Sequence, residues 1–172
     1  PFGRSLPDAR RSTLDAPVYS SFMSSSPPLP PPGDAAPLPF SRVLVTGGAG
    51  FIGSHLVDRL LTSGYRVLCV DNFVLGRREH LEDALKSDRF SLHDFDLLDL
   101  SKLDDFFASE DIDVVFHLAA NSDIREGTRS TDRDLQLTFM TTFNVLECMR
   151  QHAVKKLLFT STPAIFGEHE EA

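Results

Sequence analysis

Apolar and polar residues along most of this chain form short, regularly spaced blocks. Runs of apolar and often β-branched residues recur, and glycine or polar residues bound each run. We expect five strands, at 42–47, 66–71, 90–96, 113–120 and 155–162. Strands that are this continuously apolar are typical of a parallel sheet that helices cover on both faces.

Segments with helical spacing lie between these strands. Residues 51–63 repeat apolar side chains every three to four positions, and Gly64 ends that helix. We also expect a short helix at 77–86 and a helix that begins at a Ser101 cap and runs to about Ala108. A long helix reaching about His152 carries an apolar stripe made of Leu135, Phe139, Phe143 and Leu146.

The alternation of strands and helices predicts an α/β fold. We expect a Rossmann-type, doubly wound parallel sheet of five strands in the order 3-2-1-4-5. Strand five would then be an exposed apolar edge.

The first forty residues differ in composition from the rest. They hold ten of the eleven prolines, and the run at 24–39 is mostly Ser and Pro. This run forms neither helix nor sheet, because proline removes backbone donors and fixes φ. We therefore predict a disordered Pro/Ser-rich leader at 1–40 and a folded domain at 41–172. Met23 is an alternative start, and a PxxP ligand or a transit peptide are further alternatives for this segment.

Charge and cysteine content narrow the class of protein. The net charge of −8 argues against nucleic-acid or anionic membrane surfaces as partners. Cys69 and Cys148 lie in apolar segments without a CxxC spacing, so we expect reduced core thiols, no metal site and a cytoplasmic location. No apolar run has the length of a transmembrane helix.

A glycine-rich turn stands between the first strand and the first helix. Gly47, Gly50 and Gly53 allow, respectively, a tight turn, close approach of a pyrophosphate to the backbone, and close packing of helix on strand. The following helix points its free N–H groups and positive end at the phosphates. This spacing predicts a dinucleotide site.

The second strand ends in an acidic residue that bears on the choice of cofactor. Asp71 lies 24 residues after Gly47, near the spacing expected for the carboxylate that binds the ribose hydroxyls. A carboxylate there repels a 2′-phosphate, so the sequence favours NAD over NADP. Arg77 and Arg78 leave NADP open, since they have the charge to pair with a 2′-phosphate.

Five segments together resemble a known family. They read TGGAGFIGSHLVDRLL, DNFVLGRREHL, DLLDL, VVFHLAA and FNVLECMRQHAVKKLLFTST, and they occur in the family's order. They resemble the extended short-chain dehydrogenases/reductases, in the NAD-dependent epimerase/dehydratase family, and most of all its UDP-glucose 4-epimerase-like members.

The resemblance implies a set of cofactor-binding residues. It places the pyrophosphate at the glycine turn, the adenosine ribose and adenine next to it, and the centre of the cofactor at the end of strand four. The implied residues are Gly47, Gly50, Phe51, Ile52, Gly53, Asp71, Asn72, Asp96, Leu97, Leu118, Ala119 and Ala120. We give His117 no catalytic role.

The resemblance also implies residues on the substrate side. Thr162 falls on the family's catalytic Ser/Thr, whose hydroxyl would bond the substrate hydroxyl and share its proton. Ser161 is the adjacent alternative, and Ser122 is a candidate contact to cofactor or sugar.

Three departures from the family pattern refine this expectation. Thr138 stands where the family's helix usually carries an Asn. Pro163 and Ala164 replace the acid and base of the dehydratase branch, and Ala164 replaces the Glu of the decarboxylase branch, which favours simple hydride chemistry. No YxxxK motif is present, and we expect the family's Tyr and Lys beyond Ala172. The resemblance thus implies that 41–172 is an incomplete NAD(P)-binding domain whose sheet is truncated at its C-terminal side.

The resemblance therefore implies an NAD-dependent nucleotide-sugar epimerase that abstracts a hydride from a sugar carbon and returns it. It implies a homodimer for the full-length protein, and we expect the present fragment to be inactive alone. The alternative is a non-catalytic NAD(P)-binding sensor or scaffold with the same fold.

Overall fold

A computed structural model describes residues 41–122 and 130–161 of the chain. The predicted leader at 1–40 and the positions Thr162, Pro163 and Ala164 lie outside the described residues. The strands are β1 Arg42–Thr46, β2 Arg66–Asp71, β3 Phe90–Asp94, β4 Val114–His117 and β5 Leu157–Phe159. The helices are α1 Phe51–Thr62, α2 Leu100–Ser109, α3 Thr131–Asp134 and α4 Thr141–Gln151, with a π-helix at Leu135–Met140 between the last two.

The five strands form one parallel sheet in the order β3-β2-β1-β4-β5. Thr46, the last residue of β1, pairs in register with Val70 on one side and with His117 on the other. The carboxyl ends of the three central strands therefore meet at one edge. This confirms the predicted Rossmann-type fold and its strand order.

Two hydrophobic cores cover the two faces of the sheet. Alternate strand residues point to opposite faces, so that Val43 and Val45 belong to one core and Leu44 to the other. α1 covers the first face with buried residues that include Val57. α2 and α4 cover the second face, where Leu103 is buried. The sheet is thus doubly wound, which explains its nearly continuous apolar strands.

Two local elements differ from the prediction, the segment at 77–86 and the start of α2. The segment predicted as a helix at 77–86 forms two 3₁₀ turns, Arg78–Leu81 and Ala84–Lys86. α2 begins one residue before Ser101, because the Asp99 side chain accepts from the Lys102 amide and is the actual N-cap.

The apolar stripe predicted for the long helix lies on its outer face. Leu135, Phe139, Phe143 and Leu146 are 45–61% exposed. The residues buried in α4 are Thr141, Asn144, Val145, Cys148 and Met149. Phe143 and Leu146 lie within the regular helix α4, so this helix has two apolar faces, and the one that includes Val145 and Met149 packs on the sheet.

Two smaller expectations concern edges and cysteines. The residues of β5 are 37–48% exposed, as expected for an uncovered edge strand. Cys69 and Cys148 are both buried and free. Within the described part of the chain, no helix is long and apolar enough to cross a membrane.

Candidate functional site

A groove of about 530 Å³ runs along the carboxyl edge of the sheet. This volume is within the range of small-molecule and cofactor sites. The groove is at the point where strand order reverses, between β1 and β4, which is where doubly wound sheets bind ligands.

The structure brings almost all of the predicted site residues together in this groove. The lining includes Gly47, Gly50, Phe51, Ile52, Gly53, Asp71, Asn72, Asp96, Leu97, Leu118, Ala119, Ala120 and Ser122. Ser161 is exposed and is not among the residues that line the groove, although its neighbour Thr160 is. Thr162 lies outside the described residues, so its predicted role stays a prediction.

The glycine turn is shaped by close packing at two positions. Gly47 has φ +71°, and a Cβ there would lie 2.7 Å from the backbone nitrogen of Ala119. A Cβ on Gly53 would collide with the Gly47 carbonyl oxygen and lie 2.8 Å from the Cα of Gly48. Side chains at these positions would push α1 away from the turn and the turn away from β4.

The N-terminus of α1 faces the groove. Gly50 is the N-cap and has no side chain, and the first helical residues, Phe51 and Ile52, are exposed. The first turn contains no acidic residue. Its amide groups have no intrahelical acceptors, so this end of the helix is suited to an anion such as a pyrophosphate.

Asp71 is held at the end of β2 by two backbone amides. Its Oδ2 accepts from the Ala49 amide at 2.9 Å, and its Oδ1 accepts from the Phe73 amide at 2.9 Å. The residue is only 8% exposed, and a Cβ on Gly76 would lie 2.8 Å from its Oδ1. Each carboxylate oxygen keeps a second lone pair for a ligand hydroxyl.

The segment after β2 is hydrogen-bonded to the glycine turn at Ala49. The Ala49 carbonyl accepts from the Arg77 amide at 3.0 Å and pairs with His80 Nδ1 at 2.8 Å. The Arg78 guanidinium lies 5.8 Å from the centre of the Phe73 ring. The loop that follows Asp71 is therefore tied to the glycine turn.

Asn72 and Asp96 form a pair at the same end of the groove. The Asn72 amide donates to Asp96 Oδ2 at 3.0 Å, and Asp96 Oδ1 accepts from the Leu98 amide at 2.9 Å. These bonds hold the Asp96 carboxylate beside Leu97, which is buried. The predicted adenine-side residues are thus neighbours in space.

Thr138 is positioned by the π-helix to reach the loop after β4. Its hydroxyl oxygen accepts from the Asn121 amide at 3.1 Å. The Thr141 hydroxyl donates to the Leu137 carbonyl at 2.9 Å, and the Thr142 hydroxyl donates to the Thr138 carbonyl at 2.6 Å. A hydroxyl at position 138 therefore supports the loop that carries Ser122.

Several groove residues were not predicted from the sequence. They are Val70, Val74, Leu75, Gly76, His80, Phe95, Asn121, Leu137, Thr141 and Thr160. Val74, Leu75 and Gly76 belong to the loop after Asp71. The sequence signal for this loop was a glycine that follows two apolar residues. Leu137 and Thr141 are four positions apart and are joined by the bond from the Thr141 hydroxyl to the Leu137 carbonyl, so they lie on the same side of the helix.

Comparison with known protein families gives one match over most of the chain. The model of the NAD dependent epimerase/dehydratase family matches residues 43–172. Two curated relatives are UDP-glucose 4-epimerases. The enzyme of Schizosaccharomyces pombe is 37% identical over 128 residues, covering 73% of this chain and 36% of that protein. The enzyme of Halalkalibacterium halodurans is 38% identical over 126 residues, covering 73% and 36%.

Solved structures give the same result. The UDP-glucose 4-epimerase of Thermotoga maritima with UDP-glucose has a TM-score of 0.69 and 34% identity, covering 76% of this chain and 41% of that one. The enzyme of Bifidobacterium longum in complex with NAD⁺ and UDP has a TM-score of 0.69 and 32% identity, covering 74% and 38%. The chain spans about two fifths of the length of such relatives.

Proposed function

This chain belongs to the NAD-dependent epimerase/dehydratase family, and from that premise we propose that the full-length protein is an NAD-dependent nucleotide-sugar epimerase. One observation carries the proposal. A single groove aligns the glycine turn, Asp71 and the Leu118–Ala120 segment, in a fold shared with UDP-glucose 4-epimerases.

We propose that NAD lies along this groove with its pyrophosphate over the turn from Gly47 to Gly53. The fit is supported by the packing of the turn, because neither glycine has room for a Cβ and the turn can therefore lie close against α1 and β4. The amide groups at the start of α1 would receive the phosphate charge.

The adenosine half would lie toward β2 and β3. Asp71 would accept hydrogen bonds from the ribose diol, and Asn72, Asp96 and Leu97 would surround the adenine side. A carboxylate that is already fixed by two amides at 2.9 Å needs no rearrangement to accept the diol, and it repels a 2′-phosphate. This supports NAD over NADP.

The other half of the cofactor would lie against the end of β4. Leu118, Ala119 and Ala120 offer small or apolar surface there, and the loop beyond them carries Ser122. NAD, when bound, supplies reversible hydride acceptance. A nucleotide sugar placed past Ser122 would have its reacting carbon at this end of the groove.

In this proposal Thr162 holds the reacting hydroxyl of the sugar by a hydrogen bond and shares its proton. The proton would finally pass to a tyrosine base that is paired with a lysine at YxxxK spacing. Residues 1–172 contain no such Tyr–Lys pair. We therefore propose that the fragment alone binds NAD without turnover.

The test is an assay of full-length protein and fragment with UDP-galactose, following formation of UDP-glucose. We expect turnover by the full-length protein and none by the fragment. Robust turnover by residues 1–172 would contradict the assignment of the missing base. NAD binding by the full-length protein without any sugar turnover would support the alternative of a non-catalytic sensor or scaffold.

We further propose that the full-length protein is a homodimer that uses the exposed stripe of Leu135, Phe139, Phe143 and Leu146. These four side chains are each about half exposed and span twelve positions, about 16 Å of helix. Soluble monomers rarely expose a contiguous row of large apolar side chains. Pairing of two copies about a twofold axis is the commonest way in which oligomers bury such a surface.

Sedimentation velocity of the full-length Phe139→Ser and Phe143→Ser variants tests this. We expect a shift from dimer to monomer, whereas Leu85→Ser, at an exposed leucine elsewhere, should leave the dimer intact. Monomeric wild-type protein would contradict the proposal and would indicate that the rest of the chain covers the stripe.

A further inference from the structure

A buried chain of hydrogen bonds crosses the carboxyl edge of the sheet beneath the groove. His117 Nδ1 pairs with the Thr46 hydroxyl at 2.7 Å, and His117 Nε2 pairs with the Thr142 hydroxyl at 3.0 Å. His117 is 1% exposed and Thr46 is 0% exposed. The ring also stacks on Phe159, with ring centroids 5.9 Å apart.

The direction of each bond follows from the last member of the chain. The Thr142 hydroxyl donates its only proton to the Thr138 carbonyl at 2.6 Å, so it accepts from His117 Nε2–H. A neutral imidazole has one N–H, and therefore its Nδ1 accepts from the Thr46 hydroxyl. Burial lowers the pKa of His117 to about 4, so the ring stays neutral near pH 7.

The three residues in contact belong to the three segments that form the floor of the groove. Thr46 directly precedes Gly47, and His117 directly precedes Leu118. Thr142 and Thr138 lie on the helix, and the Thr138 hydroxyl oxygen receives the Asn121 amide. One imidazole thus connects the glycine turn, the β4 wall and the loop that leads to Ser122.

We propose that His117 is a positioning residue that sets the spacing between the glycine turn and the Leu118–Ala120 wall. It touches neither cofactor nor substrate, since it is buried beneath both segments. The fit between turn and wall is tight, because even a Cβ at Gly47 would lie 2.7 Å from the Ala119 nitrogen. This inference rests on the proposed function, in which a dinucleotide lies across both segments.

Histidine suits this place because it accepts at one edge of the ring and donates at the other. Asparagine places an oxygen near the Nδ1 position and keeps the bond from Thr46. Glutamine places an NH₂ near the Nε2 position and keeps the bond to Thr142. Phenylalanine keeps the ring volume and the stacking on Phe159 but loses both bonds.

The test compares the dissociation constants of NAD and ADP in the full-length wild type and in His117→Phe, His117→Asn and His117→Gln. ADP occupies only the adenosine and pyrophosphate part of the proposed site, whereas NAD also needs the Leu118–Ala120 wall. We expect His117→Phe to weaken NAD by about tenfold more than ADP, with the Asn and Gln variants in between.

Leu103→Ala is the matched control, because Leu103 is a buried core residue of α2 outside the groove. It should lower the melting temperature without changing the ratio of NAD to ADP affinity. Equal ratios in His117→Phe and wild type would overturn the inference.

The tautomer gives a second readout that does not depend on NAD. Long-range ¹H–¹⁵N spectra, with His117 assigned by its absence in His117→Asn, should show a proton on Nε2 and none on Nδ1. The opposite tautomer would refute the chain of bonds itself. Wild type that shows this tautomer but binds no NAD would instead contradict the proposed function.

Discussion

Replacing Asp71 by Asn separates its observed contacts within the loop from its proposed binding of the ribose. The carboxylate accepts from the Ala49 and Phe73 amides, both at 2.9 Å, in a site that is 8% exposed. Asn keeps the size and one acceptor oxygen but turns an NH₂ toward one of those amides. One unpaired buried amide costs about 1–3 kcal/mol of unfolding free energy.

The effect on NAD binding is separate from this loss of stability. Without the charge, the hydrogen bonds to the ribose diol weaken by about 1.5–3 kcal/mol, which corresponds to a roughly ten- to hundredfold higher Kd for NAD. NADP should lose less affinity than NAD, because the repulsion of the 2′-phosphate also disappears. Asp71→Ala is a poorer test, since it leaves both amides unpaired and releases Phe73, a non-glycine residue at φ +57°.

The assay is isothermal titration of NAD and NADP into full-length protein, with urea unfolding in parallel. Asp94→Asn is the control, because Asp94 is exposed, pairs in register with Asp71 and does not line the groove. Lower stability with an unchanged Kd for NAD would refute the assignment of Asp71 as the ribose ligand.

Further predictions concern Gly53, His117 and the two buried cysteines. Gly53→Ala should abolish NAD binding and cost about 1–3 kcal/mol or more of stability through its collision with Gly47. Gly64→Ala, at φ +92° in open space, should cost only about 1 kcal/mol and leave NAD affinity unchanged.

Burial lowers the pKa of His117 to about 4, below its ordinary 6.5, so the unfolded chain takes up a proton that the folded chain does not. Urea unfolding should therefore show stability falling by on the order of 3 kcal/mol from pH 6.5 to 4, and His117→Gln should lose that part of the fall. Burial raises the pKa of Cys69 to about 12 and that of Cys148 to about 11, so neither thiol should react with a thiol reagent at pH 8 until the protein unfolds. Rapid labelling of the native protein would contradict this.

Local patterns predicted the sheet and the tight glycine turn well, for a physical reason. Five apolar runs separated by helical spacing define a buried parallel sheet, and the tight turn at Gly47 must follow the strand that ends at Thr46. These features depend on neighbouring residues, so one sequence contains enough information for them.

Features that depend on distant contacts were not predictable in this way. The stripe on the long helix faces outward because α4 has a second apolar face, which includes Val145 and Met149 and packs on the sheet. The hydrogen bonds that join Ala49 to Asp71 and to His80 connect residues that are 22 and 31 positions apart. His117 received no role from the sequence because its partners, Thr46 and Thr142, are 71 and 25 positions away.

We propose that this groove holds NAD for transient oxidation of a nucleotide sugar. The decisive experiment gives the full-length protein UDP-galactose labelled with deuterium at the sugar C4 and follows the label by NMR. We expect UDP-glucose that retains deuterium at C4, with no net release of reduced cofactor. Loss of the label to solvent, or stoichiometric NADH release, would contradict it.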